Sequence, residues 1–178
     1  MLFQHPEMTG AILRGTPVWV WALLAGLVSL GITQARDRNA SLTRVTILPV
    51  VMTGLAIWGV VGAFGKSPMF GYVMLTWMLV GAIAFAVIGL TNPPAGTTYD
   101  GATRTYFLPG SWLPLGIIIG IFLTRYVVNV DIAINPMLAR DGQYALLVAA
   151  LYGLFTGTFL GRAARLWRLA AERRAFAW

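Results

Sequence analysis

The sequence predicts an all-α membrane protein: a five-helix transmembrane bundle with a small cytoplasmic β-hairpin between helices 3 and 4. Three observations predict it. Apolar stretches at about residues 17–33, 47–64, 70–90, 112–130 and 144–161 dominate the chain, each close to the ~20 residues that cross a hydrocarbon core of about 30 Å. A chain of 178 residues that is 58% hydrophobic and 11% charged lies outside the range of soluble domains. Basic residues, finally, crowd into alternate gaps between the stretches.

The elements follow in order. Residues 1–15 are too polar to span, and Leu2, Phe3, Met8, Ile12 and Leu13 suit a short helix lying at the outer interface. Thr16-Pro17 opens the first span, with Thr as N-cap and Pro at the first helical position, where a missing N–H costs nothing. Trp19 and Trp21 sit where indole rings anchor to headgroups. The segment resembles a signal peptide only superficially. Its one base, Arg14, is offset by Glu7, and no small-x-small cleavage site precedes Gln34-Ala35-Arg36, so an uncleaved helix is expected.

The second span is expected from near Thr46, with Pro49 in its first turn, and the short gap 65–69 makes spans two and three a tight antiparallel hairpin. The long gap 91–111 carries β-prone runs, 97–99 and 103–108, around the turn dipeptide Asp100-Gly101. A two-stranded hairpin is barely stable in water, so this one must pack on the helix ends. Ser111 is the expected cap of span four, with Trp112 at the interface. Residues 162–178 read as a basic cytoplasmic tail, with Arg162, Arg165, Arg168 and Glu172 at helical steps, along the inner leaflet.

Charge is explained by orientation. Of 13 basic residues, nine (Arg36, Arg38, Arg44, Arg104, Arg162, Arg165, Arg168, Arg173 and Arg174) fall on one side of the bundle. The positive-inside rule makes that side cytoplasmic, with the N-terminus out and the C-terminus in. The net charge of +7 therefore needs no nucleic acid. Cysteine is absent, which excludes disulfides, thiolate metal sites and cysteine nucleophiles. All six acids lie in loops or near span ends, His5 is alone, and the serines have no His–Asp set beside them. No catalytic, metal or cofactor-binding set emerges, and the chain is not expected to be an enzyme.

Three constellations remain. Ala145, Ala149, Gly153, Gly157 and Gly161 recur every four residues down span five, a small-residue seam that lets backbones approach where lipid supplies no hydrophobic drive. Packing inside the bundle, with Gly116 and Gly120 of span four as mate, is the expectation; a homodimer seam is the alternative. Arg125 lies inside span four, about 20 Å from Trp112 at 1.5 Å per residue, and Asn129 stands one turn above it. The pair marks either an interior polar site or a side chain snorkelling to the outer headgroups. Gln34, Arg36, Arg38, Arg44 and Arg104 gather at the cytoplasmic mouth, where they suit an anionic ligand or lipid headgroup.

Thr16-Pro17-Val18-Trp19-Val20, Gln34-Ala35-Arg36, Arg44, Leu48-Pro49 and Leu108-Pro109-Gly110-Ser111-Trp112 together resemble a family of small bacterial inner-membrane proteins, a domain of unknown function. The resemblance implies a bacterial plasma-membrane location and carries no activity. The expected role is a non-enzymatic accessory subunit that binds anionic inner-leaflet lipid or a membrane partner, with a small transporter or channel for an anionic or neutral solute as the alternative.

Overall fold

A computed structural model describes residue 10 and residues 14–175; the interfacial helix expected within residues 1–15 falls mostly outside them, as do residues 176–178 of the tail. The chain forms α1 (Val18–Gln34), β1 (Arg38–Ser41), α2 (Leu42–Phe64), α3 (Phe70–Leu90), β2 (Thr98–Asp100), β3 (Thr105–Leu108), α4 (Leu113–Ile134), a 3₁₀ turn (Pro136–Arg140) and α5 (Gly142–Ala175). Four helices, α2 to α5, are long and apolar enough to cross a membrane, and α1 is a shorter apolar helix of 17 residues. Large apolar side chains such as Trp58, Ile83 and Val87 stand exposed along them, a pattern compatible with helices that face lipid.

Local chemistry sets the helix ends, not always where expected. Pro17 itself precedes α1, and the Thr16 hydroxyl reaches Tyr126 Oη at 2.6 Å instead of capping. The second helix begins at Leu42, four residues before the expected start, because Ser41 caps it through the Arg44 N–H at 3.3 Å. Pro49 therefore falls inside α2, where it leaves the Val45 carbonyl without its usual amide partner. Asp141 caps α5 by accepting from the Tyr144 N–H at 2.8 Å.

The expected hairpin forms, but as two-thirds of a sheet. β3 pairs antiparallel with β2 on one side and with β1 on the other, Ala40 facing Tyr106 and Ser41 facing Thr105. The third strand comes from the gap between α1 and α2. Packing supplies what a lone hairpin lacks: Tyr99 and Tyr106 are buried against Ala170 of α5, and Tyr106 Oη donates to the Leu166 carbonyl at 2.9 Å.

α5 is one continuous helix through Ala175, ~50 Å long at 1.5 Å per residue. Its basic portion is held under the bundle instead of lying apart along a surface. Trp167 Nε1 donates to Thr46 Oγ1 at 3.2 Å, and Arg168 donates to the Thr91 carbonyl at 2.9 Å.

Helix packing divides the bundle. α3 runs along α5, which also takes α2, whereas α1 packs chiefly on α4. The α3/α5 seam is built of glycine. A Cβ on Gly157 would strike the Gly81 carbonyl, one on Gly153 would crowd Trp77 O and Gly81 N, and Gly161 packs against Gly89 and Ile88. The mate of the stripe is thus α3. Gly116 has open space around it, and Gly120 faces Phe155.

Candidate functional site

At the sheet end, α1, β1, α2, the 91–111 segment and α5 enclose a cavity of about 110 Å³. Four arginines line it: Arg38, Arg44, Arg162 and Arg165. Arg38 opens β1, and its Nη2 donates to Oε1 of Gln34, the buried last residue of α1, at 2.9 Å. Arg44 stands exposed at the rim in the first turn of α2. Arg162 and Arg165, one turn apart on α5, form the opposite wall. Gln34, Thr97 and Ser111 add neutral polar groups, and among the described residues no Asp, Glu or His lines the cavity.

The cluster is electrostatically incomplete. Burial, and then the neighbouring Arg44, hold the Arg38 guanidinium below the usual arginine range. Arg165 Nη1 donates to Thr91 Oγ1 at 3.3 Å, and the Arg168–Glu172 pair at 3.9 Å lies a turn further along. Yet Arg162 Nη1, Arg165 Nε and Thr97 Oγ1 are buried with no acceptor or donor among the described residues. Buried N–H groups without acceptors cost free energy, and clustered like charges add to it. A multivalent oxyanion would satisfy both, since planar guanidinium groups match phosphate oxygens in charge and geometry.

The structure brings together three of the five residues expected at this mouth: Gln34, Arg38 and Arg44. Arg36 is exposed outside the cavity. Arg104 sits exposed at the hairpin turn with φ 52°, and its carbonyl accepts from the Leu42 N–H at 3.0 Å. Arg162 and Arg165 take their places. Their spacing of three was visible as a helical face, but nothing local in the sequence shows that β1 and α2 oppose it.

Segments 34–37 and 109–111 meet here as well. Ser111 N donates to the Gln34 carbonyl at 3.1 Å, and Gly110 N donates to Asp37 Oδ1 at 2.7 Å. A Cβ at Gly110 would collide with the Ala35 carbonyl, so the close approach requires glycine.

Arg125 lines a second cavity of about 200 Å³ between α1, α2, α4 and α5. A Cβ added to Gly59 would lie 3.7 Å from Arg125 Nη1 and 3.8 Å from Tyr152 Cζ, so the guanidinium and the phenol share the space that Gly59 leaves. Asn129 does not extend this group; its exposed amide donates back to the Arg125 carbonyl at 2.7 Å. A turn and a half beyond Arg125, Asp131 is buried, with Oδ2 accepting from Tyr144 Oη at 3.3 Å and Oδ1 unpaired among the described residues. Its place near the end of span four gives no hint of that burial. Among the described residues no group of His, Cys, Asp or Glu is arranged to hold a metal ion.

These features define a mostly helical protein with membrane-length apolar helices and an arginine-lined cavity beside a small sheet. The chain belongs to DUF6622, a family of unknown function whose model matches residues 1–177. Neither the curated proteins nor the solved structures contain a match to it.

Proposed function

We propose that the protein is a five-span protein of the bacterial inner membrane, N-terminus out and C-terminus in, that binds a phosphate-type anion at the cytoplasmic sheet end without transforming it. It acts as an accessory subunit, tying anionic inner-leaflet lipid to a membrane partner or a second copy. One observation carries this reading: four arginines share a cavity that no carboxylate lines among the described residues, and two of them bury N–H groups with no acceptor among those residues. Basic residues placed only for orientation would be solvated. These are enclosed.

Binding of sn-glycerol phosphate tests it, measured as thermal stabilisation in non-ionic detergent against chloride at matched ionic strength, so that screening is held constant. Saturable stabilisation by wild type that disappears in Arg162→Gln/Arg165→Gln supports the reading. Equal behaviour of the two proteins sinks it.

A second reading, a conduit for a small anion, is favoured by the placement of Arg125 in a cavity that shares Gln34 and Phe159 with the arginine pocket. Anion flux in liposomes that is abolished by Arg125→Leu would establish it in place of the first.

A further inference from the structure

The arginine pocket and the Arg125 cavity are neighbours with a common wall. Gln34 and Phe159 line both. Their chemistries are opposite. The first offers four guanidinium groups; the second is walled chiefly by Leu27, Ile118, Ile121 and Phe155, with Arg125 closing its far end. From Ile118 to Arg125 the second cavity extends about 10 Å along α4 at 1.5 Å per residue. It exceeds the ~150 Å³ apolar cavities that stay dry and take up benzene-sized hydrocarbons.

The second cavity also opens sideways. Leu23, Leu30 and Leu55 at its rim are each more than 40% exposed. It lies where the α1/α4 pair meets α2 and α5, the looser of the bundle's contacts. A hydrocarbon chain can therefore enter from the lipid side while its headgroup remains at the sheet end.

We infer that the two cavities form one site for an anionic amphiphile, with its phosphate among Arg38, Arg44, Arg162 and Arg165 and an acyl chain threaded past Phe159 toward Phe122. This deepens the anion-binding reading and rests on it. A free phosphate fills only the first cavity and gains nothing from the apolar wall between it and Arg125, where its desolvation is uncompensated. A phospholipid uses both: the charge-assisted hydrogen bonds hold the head, and each buried methylene adds to the affinity.

The test uses wild-type protein in liposomes containing phosphatidylglycerol with a photoactivatable group midway along one acyl chain. Crosslinks mapped to residues 118–122 and 155–159 are expected. Crosslinks confined to outward-facing positions such as Ile83 and Val87 would overturn the inference, since the chain would then lie in bulk lipid. A second arm compares head and chain by native mass spectrometry, with phosphatidylcholine of the same chains as competitor. Wild type should retain phosphatidylglycerol preferentially, and Ala56→Phe, which fills the second cavity, should lower that retention about tenfold, equivalent to ~1.4 kcal/mol. The same variant should still bind sn-glycerol phosphate as wild type does. Leu27→Phe fills the cavity from the opposite wall and should act alike. Unchanged phosphatidylglycerol retention in both variants overturns the threaded chain while leaving the anion site intact. A wild type that binds neither glycerol phosphate nor phosphatidylglycerol overturns the anion site itself, and the threaded chain with it.

Discussion

The α3/α5 seam and the junction between the α1/α4 pair and its neighbours solve helix packing in opposite ways. Along the seam, glycines at 81, 89, 153, 157 and 161 bring backbone against backbone, and at 153, 157 and 161 a methyl group would collide with the facing helix. Across the junction, large side chains such as Phe155 and Phe159 hold the helices apart, and cavities remain. Close contact supplies van der Waals cohesion, the main force available between helices in lipid. The looser region is thereby free to enclose arginines, which a tightly packed interface without partners could not accept. Rigidity is concentrated on one side of the bundle and chemistry on the other.

The largest expected effect comes from breaking the seam. Gly157→Leu drives a side chain into the Gly81 carbonyl and the Ala84 methyl. Overpacking costs about 1–3 kcal/mol, and more where backbone must move, so thermal unfolding in detergent should show a strongly destabilised or unfolded variant. Wild-type stability would mean that the seam is not the source of cohesion.

On the other side of the comparison, the arginine pocket should respond in a way no packing site would. At a ligand concentration 100 times its dissociation constant, a bound anion stabilises by about 2.7 kcal/mol, and Arg162→Gln/Arg165→Gln should lose most of this in the same melting experiment. Without the anion the sign should reverse. Removing like charges from the cluster should raise the melting temperature by about 2 °C, roughly 0.5–1 kcal/mol. A double variant that is less stable in both buffers would show a purely structural role.

Tyr106→Phe deletes the 2.9 Å hydrogen bond to the Leu166 carbonyl while preserving the buried ring. A loss of about 1 kcal/mol is expected, read by denaturation and by faster amide exchange at Asn39 and Phe107.

The smallest effect lies at the hairpin turn. The Thr103 hydroxyl, and then the Ala102 N–H, hold the Asp100 carboxyl below the usual aspartate range. The folded value is the depressed one. Its contribution is therefore present above the unfolded pKa and lost as pH falls through the folded one. Thr103→Val should raise the Asp100 pKa toward that of a free aspartate, observed by NMR titration of the carboxyl, with little change in global stability because the turn is exposed.

How much of this was legible in the sequence follows the same division. The apolar runs and the Asp100-Gly101 turn are local signals, and they located the helices and the hairpin. β1 was not legible. Arg38–Ser41 has no alternating pattern, and its pairing depends on residues nearly 70 positions away. The mate of the span-five stripe is hidden because α3 breaks its own small-residue spacing at Phe85, between Gly81 and Gly89. At the site, Gln34, Arg38 and Arg44 were recognisable from charge and position. Arg162 and Arg165 look like tail, because the first charges after an apolar run usually mark the end of a span. Here the helix simply continues until the sheet covers it.

The pairings also dictate an order of assembly. α1 waits for α4, β1 waits for β3, and α3 keeps its glycine face uncovered until α5, the last helix in the described chain, is made. Neighbours in sequence are therefore seldom the partners that matter. A nascent chain halted before residue 142 would hold α3 with its glycine face bare, an orphan state that a chaperone or protease can recognise until α5 covers it.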